Sequence, residues 1–377
     1  MTPALQTPNL QTIADIAGVS RAAVSLALRN MPGISVETKE RIKKIAEECG
    51  YRPNPMVSAL MAHLKGVTQS QDVGAIPFLT AHSTKDGWRA YSTFTRYYAG
   101  ARDRAQQLGY RLDEIWLREP GMTAKRMSSI LINRGIQGLL IGPLPRGLGH
   151  VSINLSAFSV ATVGHSLVRP KVHRAVCHQI SSLRTSIQEV RRLGYRRIAL
   201  ATSEMQDQRN DFNWTTGYAG YELRLPKQDR IPILFLDKIT DADFAKWIKH
   251  WKPDAILSGN LKILEYLEKA GLSVPNDVGL ALLDRSPEDT NVAGIDQQFE
   301  AVGAAAIDLI ISQINRNERG APVIPKMILT EGLWVPGKTL LSHTQERKGK
   351  SAAKGISKKR NLMPKAKGEQ VPTADHT

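Results

Sequence analysis

Apolar residues near the start of the chain recur at the spacing of a short amphipathic helix. They stand at i, i+3, i+4 and i+7 and are Leu10, Ile13, Ala14 and Ala17. Asn9 precedes them as a suitable N-cap. Gly18, Val19 and Ser20 follow, and they supply a glycine for the C-cap, an apolar plug and a serine able to cap the next helix.

Two further helices are predicted after this turn. The second covers about residues 21–28 and turns Val24, Ala27 and Leu28 inward, while small Ala23 allows two helices to approach closely. The third covers about residues 36–49, capped by Ser35 and ended by Gly50. Three short helices joined by a tight glycine turn predict a helix-turn-helix domain, with packing for another purpose as the alternative.

From residue 73 the pattern changes to an alternation of strands and helices. The predicted strands lie near residues 73–79, 111–117, 138–141, 160–163, 197–201, 233–236, 255–258, 278–283 and 327–329. The predicted helices lie near residues 94–108, 123–134, 181–193, 215–225, 241–250, 261–270 and 299–317. This is a parallel, doubly wound α/β pattern about twice as long as one sheet requires, so two similar lobes with a cleft are expected.

Composition and charge narrow the class of protein. The chain has 377 residues, 42% of them hydrophobic, which predicts two or three packed domains. A formal net charge of +16 favours a polyanionic partner such as nucleic acid. Residues 342–377 contribute much of that charge, with nine basic and three acidic residues, and are expected to be disordered. This basic tail either keeps the protein in solution or is attracted to DNA phosphates.

Two cysteines exclude a disulfide scaffold and a multi-cysteine zinc cluster. Cys49 lies at helical spacing from Ile42 and Ile45, so a buried thiol is expected there. No apolar run reaches the ~18 residues that a membrane span needs. The first nine residues lack the charged and apolar regions of a secretory signal. We therefore expect a cytoplasmic, nucleoid-associated protein with no membrane partner.

The N-terminal region resembles the headpiece of the lactose-repressor (LacI/GalR) family of bacterial transcription regulators. The resemblance rests on residues 13–25, IADIAGVSRAAVS, and on residues 50–55, GYRPNP. It implies a headpiece over residues 1–61 with a hinge helix at about 54–61, a linker at 62–72 and a core at 73–341. In the family, paired hinge helices of a homodimer enter the minor groove, and Leu60 matches the leucine that wedges open a base step. Ordinary packing is the alternative for Leu60.

The resemblance also implies which residues contact DNA. The start of the second helix reads base edges in the major groove, where Arg21 can bond guanine and Ala22 can offer a methyl contact. The family often has an arginine at the position of Leu26. Other residues are expected to position the protein on the phosphates. The full expected set is Leu10, Ser20, Arg21, Ala22, Ser25, Leu26, Arg29, Asn30, Tyr51, Asn54 and Leu60.

Three segments of the core also resemble this family, whose core is similar to periplasmic sugar-binding proteins. They are LGYRRIA at 193–199, GLSVPNDVG at 271–279 and GIDQQF at 294–299. The resemblance implies a small-molecule effector, a sugar or sugar derivative, bound between the lobes at the carboxyl ends of strands. The expected effector-binding residues are Phe94, Trp214, Asn260, Asp284 and Gln297.

Several of these residues have a second interpretation. Asn260, Asp284 and Gln297 could each be a capping or turn residue. Trp214 stands where the family usually has an effector-binding arginine, and it could stack on a sugar or pack in the core. Leu261 and Arg285 replace family aspartates, and the stretch 80–91 is unusually rich in His, Ser, Lys and Trp. The identity of the effector therefore does not transfer from the family.

The chain lacks the motifs of the common enzyme classes. It contains no Walker loop, no Gly-x-Ser-x-Gly elbow and no His-Glu-x-x-His, and His165, His173 and His178 lack a metal-ligand spacing. We therefore expect no catalytic residue, no metal and no cofactor. The predicted function is a homodimeric, sequence-specific regulator, most simply a repressor, that binds a pseudo-palindromic double-stranded operator and a carbohydrate effector. The alternative is a regulator of the same fold that is ligand-independent or responds to a nucleoside or another metabolite.

Overall fold

A computed structural model describes residues 10–28, 33–49, 51, 74–145, 147 and 149–343. The chain divides into two compact units. Unit 1 contains the described residues up to Gln179, together with Gln208–Asp211 and Gln297–Gly332. Unit 2 contains Ile180–Asp207, Phe212–Asp296 and the described residues from Leu333 onward. The predicted hinge helix, the linker and all but the first two residues of the tail lie outside the described residues.

The three helices predicted at the N-terminus are present. They are α1 (Leu10–Ala17), α2 (Arg21–Leu28) and α3 (Val36–Glu48). Their buried residues form one small core of Ile13, Ala14, Ala17, Val24, Ala27, Ile42 and Ala46. The expectation of a buried thiol at Cys49 is wrong, because Cys49 is the C-cap residue of α3 and is only partly covered.

Backbone geometry explains the sharp turn between α1 and α2. Gly18 has a φ of +63°, a conformation that a side chain would strain. The Val19 N–H donates to the Ala14 carbonyl at 3.1 Å, which ends α1 as a Schellman motif. The Ser20 hydroxyl then accepts the Ala23 N–H at 3.1 Å and caps α2. Both caps predicted for this turn are therefore confirmed.

The described part of the core contains eight further α-helices. They are α4 (Ser92–Gln107), α5 (Ala124–Asn133), α6 (Gln179–Arg192), α7 (Glu204–Arg209), α8 (Asn213–Glu222), α9 (Asp241–Trp251), α10 (Lys262–Lys269) and α11 (Phe299–Arg316). Short 3-10 helices lie at Gly87–Ala90 and Lys227–Asp229. All the predicted helices are present to within about three residues at each end, and α7 is an addition.

Twelve strands of the described chain form one six-stranded sheet in each unit. They are β1 (Ala75–Thr80), β2 (Arg111–Trp116), β3 (Gly138–Ile141), β4 (Ser159–Val163), β5 (His173–Cys177), β6 (Ile198–Thr202), β7 (Leu234–Phe235), β8 (Ala255–Ser258), β9 (Gly279–Leu282), β10 (Ala293–Asp296), β11 (Met327–Thr330) and β12 (Leu333–Val335). The order is β2-β1-β3-β4-β5-β11 in unit 1 and β7-β6-β8-β9-β10-β12 in unit 2. Two doubly wound α/β sheets confirm the predicted fold class.

One edge strand departs from the predicted parallel pattern. β12 pairs antiparallel with β10, with Trp334 opposite Ile295. β12 follows β11 after two residues, but β11 belongs to the sheet of unit 1, whereas β12 lies at the edge of the unit 2 sheet beside β10. Neither β5, β10 nor β12 was predicted, because each is short and β5 begins with the polar residues His173 and Arg174.

The two helices α4 and α11 pack together in unit 1 with their backbones in close contact. A Cβ added to Gly100 would overlap the Glu300 carbonyl, and one added to Gly303 would overlap the Tyr97 carbonyl. Ion pairs flank the contact, since Arg96 bonds Glu300 and Arg104 bonds Asp308, each at 2.7 Å. Each of these partly exposed pairs contributes only about 0–1 kcal/mol, so the glycine contact matters more.

We expect Gly100→Ala to lower the stability of the folded protein by about 1–3 kcal/mol, because the added methyl group separates two packed backbones. Gly220→Ala in α8 is the matched control, since a Cβ there meets only the Arg224 Nη1 at 3.9 Å. The control should gain about 0.5–1 kcal/mol of stability from helix propensity. Urea unfolding of the full-length variants measures both changes. Equal stability of the two variants would contradict the described packing.

Candidate DNA-binding surface and ligand-binding residues

The face of α2 that the sequence predicts to meet DNA is exposed. Ser20, Arg21, Ala22 and Leu26 are exposed and Ser25 is half-buried, while the opposite face of the helix supplies Val24 and Ala27 to the core. The first turn of α2 contains no acidic residue, and no described carboxylate forms an ion pair with Arg21. The start of α2 thus presents an uncompensated guanidinium and backbone N–H groups, a combination that suits anionic and guanine acceptors.

Two of the expected DNA contacts also hold the headpiece together. Leu10 is half-buried and packs on the headpiece core, as does Tyr51. The Tyr51 N–H donates to the Ala46 carbonyl at 2.9 Å, which fixes the chain after α3. Four of the eleven expected DNA contacts lie outside the described residues, namely Arg29, Asn30, Asn54 and Leu60. DNA contact by any of the eleven residues stays a prediction.

Asn260 lies directly after β8, at the carboxyl edge of the sheet in unit 2. Its amide oxygen accepts the Lys262 N–H at 3.0 Å, and its amide nitrogen donates to the Gln206 Oε1 at 2.9 Å. Gln206 in turn donates to the Gly259 carbonyl at 3.1 Å. Asn260 thus makes the contacts of a turn residue, and effector binding by Asn260 stays a prediction. Gln206 is a polar neighbour that the sequence did not reveal, because it is 54 positions away.

Trp214 lies in the apolar core of unit 2. Its side chain is 1% exposed and packs beside Tyr218, and a Cβ added to Gly259 would lie 2.8 Å from its ring. Of the two roles expected for Trp214, the structure supports packing, because little of the ring is left to cover a sugar. The absence of a side chain at Gly259 is what makes room for the indole.

Asp284 follows β9 and is half-buried. Its neighbour Arg285 is 8% exposed and points into the fold, where the guanidinium Nε donates to the Val292 carbonyl at 3.0 Å. The Arg285 N–H also donates to the Ile295 carbonyl at 2.8 Å. The arginine that replaces a family aspartate therefore braces the chain between β9 and β10.

The two remaining expected effector residues belong to unit 1. Phe94 is buried at the start of α4, with its ring centroid 4.8 Å from that of Tyr91 and 5.8 Å from that of His82. Gln297 is completely buried, and its Nε2 donates to the Gln179 Oε1 at 3.0 Å. The five expected residues thus form two groups in different units. That one ligand contacts both groups stays a prediction.

The sequence analysis did not single out His82, which lies near the carboxyl edge of the sheet in unit 1. His82 follows β1, and its Nε2 lies 3.3 Å from the Pro143 carbonyl after β3. Burial lowers the pKa of His82 despite that hydrogen bond, and the positive charges of Arg209 and Arg118 lower it further. Strands β1 and β3 flank the point where the strand order reverses, which is where ligands bind in such sheets. A histidine directly after a buried strand was the available signal.

The described residues contain no group of three or more His, Cys, Asp or Glu side chains that could hold a metal ion. Within the same part of the chain, no helix is long and apolar enough to cross a membrane.

Comparison with known proteins gives one family match for the headpiece and another for the core. The family described as bacterial regulatory proteins, lacI family, matches residues 9–54, and a periplasmic binding protein-like domain matches residues 181–339. The chain thus has a lacI-family helix-turn-helix domain followed by a periplasmic-binding-protein-like domain. With this domain combination it is a DNA-binding transcriptional regulator.

The relatives extend along most of the chain. The transcriptional regulator PtxS of Pseudomonas putida is 23% identical over 324 residues, which are 83% of this chain and 91% of PtxS. The regulator CelR of Thermobifida fusca is 24% identical over 363 residues, 87% of this chain and 97% of CelR. Among solved structures, a lac repressor dimer bound to operator and the anti-inducer ONPF matches with a TM-score of 0.50. That match has 17% identity, covers 89% of this chain and 100% of the other, and shows the fold.

We expect Ser20→Ala to destabilise the headpiece by about 1 kcal/mol, because the cap on the Ala23 N–H is lost. Ser20→Thr is the control, since threonine can accept the same bond. Hydrogen exchange of the α2 amides in the full-length protein should become about fivefold faster in the alanine variant only. Unchanged exchange in Ser20→Ala would show that the hydroxyl does not cap α2.

Proposed function

We propose that this regulator is a repressor that binds a pseudo-palindromic operator as a homodimer and is controlled by a small polyhydroxylated effector. The observation that carries the proposal is the exposed start of α2, where Arg21 has no acidic partner among the described residues. A buried face anchors the same helix, so the guanidinium is presented from a rigid element.

Base recognition follows from the side chains on this face. The Arg21 guanidinium can donate two parallel hydrogen bonds to the O6 and N7 atoms of guanine, and the Ala22 methyl can contact a thymine methyl. Leu26, 37% exposed, supplies a further apolar contact and no hydrogen bond. We therefore propose that specificity depends on one guanine contact and on apolar contacts to neighbouring bases.

A homodimer explains how so short a helix achieves specificity. One α2 reads only a few base pairs, whereas two related by a two-fold axis read two half-sites one helical turn apart. The two half-sites then have the symmetry of the protein, which makes the operator pseudo-palindromic.

Control by a ligand requires groups that suit hydroxyl-rich molecules. Asp284, half-buried after β9, offers carboxylate oxygens as acceptors for sugar hydroxyls. The sucrose operon repressor of Vibrio alginolyticus is among the relatives, with 28% identity over 71 residues that are 19% of this chain. The effector changes DNA affinity only through its different affinity for two states of the core, which typically amounts to about 1–3 kcal/mol.

We expect Arg21→Ala to weaken binding to the preferred operator by about 1–3 kcal/mol and to relax the preference at one base pair. Arg41→Ala is the matched control, an exposed arginine on α3 with no described ion pair. Affinities are measured on a duplex selected from random DNA and on all its single-base variants. An equal loss on every variant would make Arg21 a phosphate contact and would contradict the proposed base recognition.

We expect Asp284→Asn to abolish the response of DNA binding to the effector, because the amide replaces one acceptor oxygen with a donor. Operator affinity without ligand should remain that of the parent protein. The measurement is a thermal-shift screen of mono- and disaccharides, followed by operator titration with and without the best ligand. Asp289→Asn is the control, a half-buried aspartate in the following loop. A full ligand response in Asp284→Asn would contradict the role of Asp284.

A further inference from the structure

Arg209 is a partly buried cation whose charge is not matched by any described carboxylate. It ends α7 within the segment Gln208–Asp211, which belongs to unit 1, and its guanidinium carbon lies 5.2 Å from the centroid of the Phe94 ring. Two other arginines of unit 1 do have carboxylate partners, since Arg96 bonds Glu300 at 2.7 Å and Arg104 bonds Asp308 at 2.7 Å.

The acidic residues near Arg209 in sequence have other partners. Asp207 accepts the Thr215 N–H at 3.2 Å and the Thr215 hydroxyl at 2.6 Å. The distance between the Asp211 Oδ2 and the His165 Nδ1 is 3.8 Å. Neither aspartate forms an ion pair with Arg209. Among the described residues the guanidinium therefore lies against the face of the Phe94 ring without a carboxylate partner.

Burial lowers the pKa of Arg209, although Tyr91 and Tyr97 act to raise it. The positive charges of Arg209 and Arg118 both contribute to the lowered pKa of His82. A desolvated cation without a counter-charge is unfavourable, and an anionic ligand removes that cost when it binds. The same desolvation strengthens any hydrogen bond that the guanidinium donates to an anion.

His165 provides an independent indication of a ligand. It follows β4, two strands from β1 in the order β1-β3-β4, and so lies on the same carboxyl edge of the sheet as His82. Its Nε2 is buried and has no hydrogen-bond partner among the described residues. Buried polar atoms without a partner are rare in folded proteins, and a ligand is one of the few ways to satisfy such an atom.

We propose that unit 1 binds the acidic group of an anionic effector, a carboxylate or a phosphate, through the guanidinium of Arg209. The His165 Nε2 supplies a second polar contact, and the Phe94 ring lies against the guanidinium, whose carbon is 5.2 Å from the ring centroid. This inference rests on the proposed function and narrows the effector class to sugar acids or sugar phosphates. Arginine suits both groups because its planar N–H fork can bond two oxygens at once.

The test compares sugars that differ only in the acidic group. Glucuronate, galacturonate and glucose 6-phosphate are titrated against glucose and galactose at constant ionic strength, with the full-length protein. Binding is followed by thermal shift and calorimetry for the parent protein, Arg209→Gln and Arg209→Lys. Arg134→Gln, an exposed arginine of unit 1, is the matched control.

We expect at least one acid to bind at least tenfold more tightly than its neutral partner. Arg209→Gln should lose that preference, Arg209→Lys should keep part of it, and Arg134→Gln should bind as the parent does. His165→Phe should weaken binding of the same acid. The unliganded Arg209→Gln variant should melt no lower than the parent, because an unpaired buried charge has been removed. The two acid types distinguish a carboxylate from a phosphate.

The outcomes separate this inference from the proposed function. If no acid binds, or if neutral sugars bind as tightly and Arg209→Gln changes nothing, the anion site is wrong while operator recognition stands. If an acid binds through Arg209 and leaves operator affinity unchanged, the anion site stands and the proposed control by an effector is wrong.

Discussion

The packing of α4 against α11 is the contact on which unit 1 depends. Gly100 and Gly303 let the two backbones touch, and α11 also covers one face of the sheet. The two helices come from distant parts of the chain, since Phe299–Arg316 follows nearly all of unit 2. Unit 1 is therefore complete only after the chain has passed through unit 2 and returned. Contacts of such large sequence separation carry a high loop-closure cost, which close helix packing must offset.

The order of the segments along the chain connects the two units directly. The headpiece is the first part of unit 1 in the sequence, and the main segments of unit 1 lie on both sides of unit 2. A ligand that contacts either unit therefore acts on chain segments that continue directly into the other. Such a ligand needs no bond to the headpiece to influence DNA binding. It needs only a different affinity for the states of the core that favour and disfavour the operator.

Local rules predicted the elements well where one rule applied over several residues. Glycine and serine at the ends of α1 and α2 gave the headpiece turn, and Gly109, Gly135 and Gly194 correctly ended three core helices. The strands β5, β10 and β12 were missed because three to five residues do not establish a period. The antiparallel pairing of β12 depends on the path of the chain in three dimensions, and no pattern in the sequence of β12 itself predicts it.

The candidate sites, too, were predictable only where a local sequence rule applied. The exposed face of α2 was predictable because helical periodicity alone separates it from Val24 and Ala27. The hydrogen bond between Asn260 and Gln206 was not predictable, because the two residues are far apart in sequence. The position of Trp214 likewise depends on the missing side chain at Gly259. Arg209 became a candidate only when its contact with Phe94 and its lack of a described carboxylate partner were known. Charge compensation is a three-dimensional property that spacing does not reveal.

Major-groove recognition by a pair of α2 helices is the central claim, and methylation interference tests it most directly. Guanine N7 of a duplex selected from random DNA is methylated sparsely, and the bound and free fractions are compared. The account predicts interference at guanines in two symmetrical half-sites, with centres about 10–10.5 base pairs or a multiple apart. Interference spread evenly over all guanines, or none at any guanine, would contradict it.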